Sequence, residues 1–332
     1  MKDNTIFQII FAVVLSIGIA VFAFFLLTHF TPSNSRGDNL LNFYDQDHHG
    51  DIFILGNSYV NEGVNAYIVE DLLYKKHINR SVYVLGIVGE TPLHRVVEVD
   101  NIIKSRPGMV VIGLGRFNLA NSTLTFENTT IETRERMSLF LERKQINERK
   151  LTQEEFQPFY NDDQLHLQTP FERFFDNRKF LVYHVHEFFL NLLSDRPLLT
   201  ANFKDPWQST KNLSEAEKKE IVGNNKNQYA ISEDFNLQKK ALLYTIQRFQ
   251  TENISVIIVV LPINPMISEV MNQSSRDNLS NFLNSTGVPW YDYEREYPSE
   301  YFIDTAHLNV AGRTDFSRKV ATVVADNLRK GV

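Results

Sequence analysis

The chain has 332 residues, 43% of them hydrophobic, and a net charge of −6 at pH 7. That composition supports a sizeable core, excludes wholesale disorder and offers no basic stripe to neutralise nucleic-acid phosphates. There is no cysteine, so a disulfide framework, a cysteine zinc site and a thiol nucleophile are excluded as well.

Residues 6–30, IFQIIFAVVLSIGIAVFAFFLLTHF, contain no Asp, Glu, Lys or Arg. A helix of this length covers roughly 30 Å or more, enough to cross a bilayer. The apolar core of a cleaved signal peptide is shorter, about 7–15 residues. The expectation is an uncleaved single-pass anchor over residues 1–30, with the rest of the chain presented outside the cell at the cell membrane. Residues 31–50, with Pro32, Gly37 and Gly50, read as a polar tether. Within it, the run Asp45 to His49 reads as solvated tether rather than as a cation site.

An alternation of strands and helices begins at residue 51. DIFIL is a strand, and 62–77 carries Val64, Tyr67, Ile68 and Leu72 at helical spacing. SVYVLGIVG (81–89) is a second strand. Residues 91–106 form a helix opened by Thr91-Pro92, a cap followed by proline at the first helical position. MVVIGLG (109–115) is a third strand. The alternation breaks at 119–232, a polar and aromatic insertion within one domain spanning 51–332. It resumes with a helix at 233–252, a buried strand at 254–262, a helix at 267–286, a short strand VPWYDY at 288–293 and a last amphipathic helix at 309–330. This order predicts an α/β fold, a three-layer sandwich with a mostly parallel central sheet.

Inside the insertion, His184 and His186 lack an evident third ligand and read as amphipathic packing. No metal or cofactor is expected. The aromatics Phe171, Phe174, Phe175 and Trp207 read as a local core, with a sugar-binding cleft as the alternative. Eight Asn-x-Ser/Thr acceptors, at Asn79, Asn121, Asn128, Asn212, Asn253, Asn272, Asn278 and Asn284, fit an exterior location and an expectation of N-glycosylation.

Ligands of an open α/β sheet bind beyond the carboxyl ends of its strands. The first strand ends on Gly56-Asn57-Ser58. That serine is either a helix cap or a nucleophile at the sheet edge. A nucleophile needs a base, and the base needs an orienting carboxylate. Asp304 and His307, three residues apart before the last helix, would deliver both on one short loop. The α/β-hydrolase elbow Gly-x-Ser-x-Gly does not fit, because position 60 is valine.

GNS at 56–58, LGIVGET at 85–91 and DTAHLN at 304–309 resemble three blocks of the SGNH (GDSL-type) hydrolases. The resemblance spans most of 50–118 and 233–330 and implies a flavodoxin-like fold and acyl transfer. It implies Ser58 as nucleophile, His307 as base and Asp304 as its partner. It also implies an oxyanion hole built from Ser58, Gly89 and Asn118. Asn57 stands where the family has Asp. In the third block, Gly-x-Asn-Asp in the family, Phe117 falls where Asn belongs. Asn118 then serves through one extra residue, or the donor is missing. The Leu308-Asn309-x-x-Gly312 continuation is similar to membrane-anchored relatives that handle acyl groups on extracellular glycans. The implied substrate is thus an acyl ester of carbohydrate, with a membrane acyl-donor protein as a partner. Two alternatives remain, a noncatalytic scaffold of a glycan-assembly complex and a lipid esterase at the membrane surface.

Overall fold

The computed structural model describes residues 15–16, 40, 42–87, 90–119, 203–204, 212–224, 236–271 and 273–330. Apart from Leu15 and Ser16, these belong to one compact unit, Leu40–His166 with Ala201–Val332. The strands are β1 (Ile52–Gly56), β2 (Val82–Gly86), β3 (Met109–Leu114), β4 (Ser255–Val260) and β5 (Trp290–Asp292). All pair in parallel, in the order β2-β1-β3-β4-β5. The order reverses at β1, and that switch point is where such sheets place their ligands.

The helices are α1 (Ser58–Gly63), α2 (Ala66–Lys75), α3 (Pro92–Arg95), α4 (Val99–Lys104), α5 (Glu215–Asn224), α6 (Asn236–Thr251), α7 (Pro265–Val270), α8 (Gln273–Ser285) and α9 (Val310–Lys330). Strand residues alternate between two cores, as the two-residue period of a strand requires. Phe53, Leu55, Val110, Ile112, Val256 and Ile258 pack with α3, α4, α6 and α8 on one face. Ile52, Ile54, Val111 and Ile257 pack with α1, α2 and α9 on the other. The expected three layers are present, and each fully buried aliphatic or aromatic side chain contributes about 1.5–3 kcal/mol. On α9 the buried stripe Phe316, Val320, Val323, Val324 has the helical period.

Three expected helices are each divided. Residues 62–77 split after Gly63, where Asn65 caps α2 by accepting from the Ile68 amide at 3.3 Å. The 91–106 segment breaks between Arg95 and Val99, and 267–286 breaks between Val270 and Gln273.

The expected tether is corrected from Leu40 onward. Leu40, Phe43 and Tyr44, at i, i+3 and i+4, form one apolar face and are buried in the core. His48 is buried too, its ring 4.0 Å from that of Phe43. The polar residues between them outweigh this stripe in composition but not in packing. No helix among the described residues is long and apolar enough to cross a membrane. Residues 6–30, apart from Leu15 and Ser16, lie outside the described residues, as do His184, His186, Trp207, the insertion's phenylalanines named above, Asn121, Asn128 and Asn272.

Candidate active site

The carboxyl end of β1 turns directly into α1. Asn57 is the cap of that helix, its Oδ1 accepting from the Tyr59 amide at 3.0 Å. Ser58 is therefore not the cap but the first helical residue. Its side chain is released from capping, and its N–H has no acceptor within the helix. Asparagine, like aspartate, caps through a side-chain oxygen. The helix lies close over the sheet, because a Cβ at Gly86 would fall 2.8 Å from the Asn57 carbonyl oxygen and 2.7 Å from the Asn61 nitrogen.

The second piece is the loop from Phe302 to Leu308, closed by a bridge between those two residues. Asp304 Oδ1 accepts from the amides of Ala306 and His307, both at 2.7 Å. Its Oδ2 lies 2.8 Å from His307 Nδ1. A carboxylate there selects the tautomer with the proton on Nδ1 and leaves Nε2 as acceptor. Nε2 lies 3.0 Å from Ser58 Oγ. The two pieces, 249 residues apart in sequence, thus meet as a Ser-His-Asp relay.

Several anchors hold this loop. Asn309 caps α9 by accepting from the Gly312 amide at 3.0 Å. A Cβ at Gly312 would fall 2.6 Å from the Tyr301 carbonyl oxygen, so glycine lets helix and loop touch. The buried Asn264, at the carboxyl end of β4, donates to Ser299 Oγ at 3.1 Å and to the Asp304 carbonyl at 3.4 Å. From the end of the insertion, the Leu213 amide donates to the Ile303 carbonyl at 2.7 Å. The buried Lys218 donates to the Phe302 carbonyl at 2.8 Å and pairs with Glu215 at 2.8 Å.

Electrostatics favour the charge-separated pair. Burial alone would lower the His307 pKa, but the hydrogen bond to Asp304 and the charges of Asp304 and Glu62 outweigh it and hold it above the ordinary value. Burial alone would raise Asp304. The hydrogen bond and charge of His307, with the two backbone amides, hold it below the ordinary range.

Glu62 was not among the residues singled out from sequence. It is 1% exposed, with Oε1 3.5 Å from His307 Nε2. The signal existed: Glu62 is four residues after Ser58, one turn on along the same helical face. The ring of Tyr59 also lies against the imidazole, its centroid 5.2 Å from that of His307.

Of the expected oxyanion donors, Gly89 lies outside the described residues. Asn118 sits on a 3-10 turn, Arg116–Leu119. Its Oδ1 accepts from the Gly115 amide at 2.7 Å, and its Nδ2 donates to the Glu90 carbonyl at 2.8 Å. The segments that carry Glu90 and Asn118 are therefore tied together. Glu90 is fixed in turn by the buried Arg95, which donates to the carboxylates of both Glu90 and Glu98. A cavity of about 30 Å³ lies beside this cluster, lined by Asn57, Arg95, Asn118 and Thr245 among others. It is large enough to hold an ordered water molecule. Among the described residues, no group of three or more His, Asp or Glu is placed to hold a metal ion.

One family model matches residues 210–329, short of half the chain. No curated protein matches. Among solved structures, similarity extends to a candidate acylhydrolase from Bacteroides fragilis at 12% identity and TM-score 0.40, covering 88% of this chain and 97% of that one. It extends also to the acetylxylan esterase Axe2 from Geobacillus stearothermophilus at 11% identity and TM-score 0.39, covering 85% and 95%. A third is a GDSL-like lipase from Bacteroides thetaiotaomicron at 10% identity and TM-score 0.38, covering 88% and 95%.

Proposed function

We propose that this chain is an SGNH-type serine hydrolase or O-acyltransferase that acts on acyl esters of carbohydrate. The observation that carries the reading is the continuous relay of Ser58 Oγ, His307 Nε2, His307 Nδ1 and Asp304 Oδ2, with contacts of 3.0 and 2.8 Å. Hydrogen-bond contacts of this length are what nucleophile activation by a base requires.

In this mechanism His307 Nε2 takes the Ser58 proton as Oγ attacks the acyl carbonyl. Asp304 stabilises the imidazolium that results. The N–H of Ser58, with Gly89 and the Asn118 amide, is the proposed oxyanion hole. Collapse expels the alcohol, which takes the proton from His307. Water or a sugar hydroxyl then attacks the acyl-enzyme by the reverse route.

The carbohydrate substrate rests on the likeness of the Leu308–Gly312 continuation to membrane-anchored glycan-modifying relatives. A location outside the cell membrane rests on the uncharged run at 6–30. Exposure of the acceptor side chains Asn79, Asn212, Asn253 and Asn284 is compatible with glycans there.

The test treats the full chain with a fluorophosphonate probe, p-nitrophenyl acetate and acetylated oligosaccharides, beside Ser58→Ala and His307→Ala. Both variants should lose labelling, and turnover should fall by at least about 10³-fold. A folded wild-type chain that neither labels nor turns over any of these esters would overturn the reading.

A further inference from the structure

The imidazole of His307 faces carboxylates on both sides. Asp304 reaches Nδ1 from the loop, at 2.8 Å. Glu62 reaches toward Nε2 from α1, at 3.5 Å. Ser58 and Glu62 are one turn apart on that helix, so hydroxyl and carboxylate approach the same nitrogen from one face. Glu62 is itself positioned by α9, where the buried Arg313 donates from Nε to the Glu62 carbonyl and sets its charge near the Glu62 carboxylate. The groups facing the ring are then Asp304 from its own loop, Ser58, Tyr59 and Glu62 from α1, and Arg313 behind Glu62 from α9.

We propose that Glu62 is a positioning residue for catalysis, a second carboxylate that favours the protonated state of His307 and so sets the pH at which the relay becomes competent. With neutral His307, the Nε2 lone pair accepts from Ser58, and a carboxylate at 3.5 Å only repels it. With cationic His307, Nε2–H is shared between Ser58 Oγ and Glu62. Glu62 therefore stabilises two states. One is the inert imidazolium of the resting chain at low pH. The other is the imidazolium that forms when Ser58 attacks. It strengthens the base and, in the same act, moves its working range upward.

The catalytic half of this inference rests on the serine-hydrolase reading; the electrostatic half does not. Two measurements on the full chain keep them apart: the pH profile of kcat/KM, and NMR titration of the His307 ring. Activity requires neutral His307, so it is lost as pH falls through the folded pKa. In Glu62→Gln, both the acid limb and the ring titration should move down by about one pH unit. The rate above both limbs should fall several-fold, because the weaker base accepts the proton less readily. The wild-type and variant profiles therefore cross. A residue that merely supports the fold would lower the rate at every pH and leave the ring titration in place. Glu62→Asp, which keeps the charge but withdraws it by one methylene, should give a smaller downward move and serves if Glu62→Gln does not fold. A ring titration unchanged in a folded variant overturns the proposal. A shifted ring titration in a chain without esterase activity sustains the pairing and overturns the serine-hydrolase reading instead.

Discussion

Two histidines in this molecule have nearly the same local chemistry and different surroundings. His48 Nδ1 lies 3.2 Å from Asp51, three residues away. His307 Nδ1 lies 2.8 Å from Asp304, also three residues away. The difference lies at the second nitrogen. His48 Nε2 donates to the Phe43 carbonyl at 3.1 Å. Its ring is stacked among Phe43, Phe53 and Tyr83 and is 5% exposed. His307 Nε2 meets a serine hydroxyl at 3.0 Å, and the side chain keeps 20% exposure at the carboxyl edge of the sheet. A histidine–carboxylate pair at this spacing thus has no fixed meaning. Its role follows from what the other nitrogen faces and whether a substrate can reach it.

Three substitutions sharpen that comparison. Asp304→Asn should leave the loop's amide contacts available but favour the wrong tautomer of His307, lowering kcat by about 10³–10⁴-fold with little change in melting temperature. Asn118→Ala removes a proposed oxyanion donor and its link to Glu90. A fall in kcat of about 10²–10³-fold is expected, with KM nearly constant. An unaltered kcat would show that Asn118 only ties the two blocks together. His48→Leu should act in the opposite sense. It removes one of two hydrogen bonds to the Phe43 carbonyl, which keeps the Gln46 amide at 3.0 Å, and lowers stability by about 1 kcal/mol in denaturant titration. The folded fraction should retain its full kcat/KM. A catalytic defect there would erase the distinction drawn between the two histidines.

Much of the framework was readable along the chain. Strands such as VIIVV stand out because an interior parallel strand is buried on both faces and becomes a continuous apolar run. The strand–helix alternation then leads to a three-layer parallel sheet. Helix breaks were harder to read. A continuous apolar periodicity masks a local interruption at Gly63 or Val270, because the residues on each side still face the same core. Docking of Leu40, Phe43 and Tyr44 is hard to read for the converse reason, since three apolar side chains suffice once a surface is waiting for them.

At the site, the residue types were determined by the sequence itself: a serine after a buried strand, and an Asp and a His on one short loop. These follow from local chain chemistry, where strand ends, caps and spacing act within a few residues. Tertiary structure alone decided that Nε2 of His307 meets Ser58 across 249 positions. It also decided that Glu62 approaches the same nitrogen from α1 and that Lys218 and Asn264 hold the loop. Those contacts join residues far apart in sequence, and their distances exist only once both layers of helices have packed on the sheet.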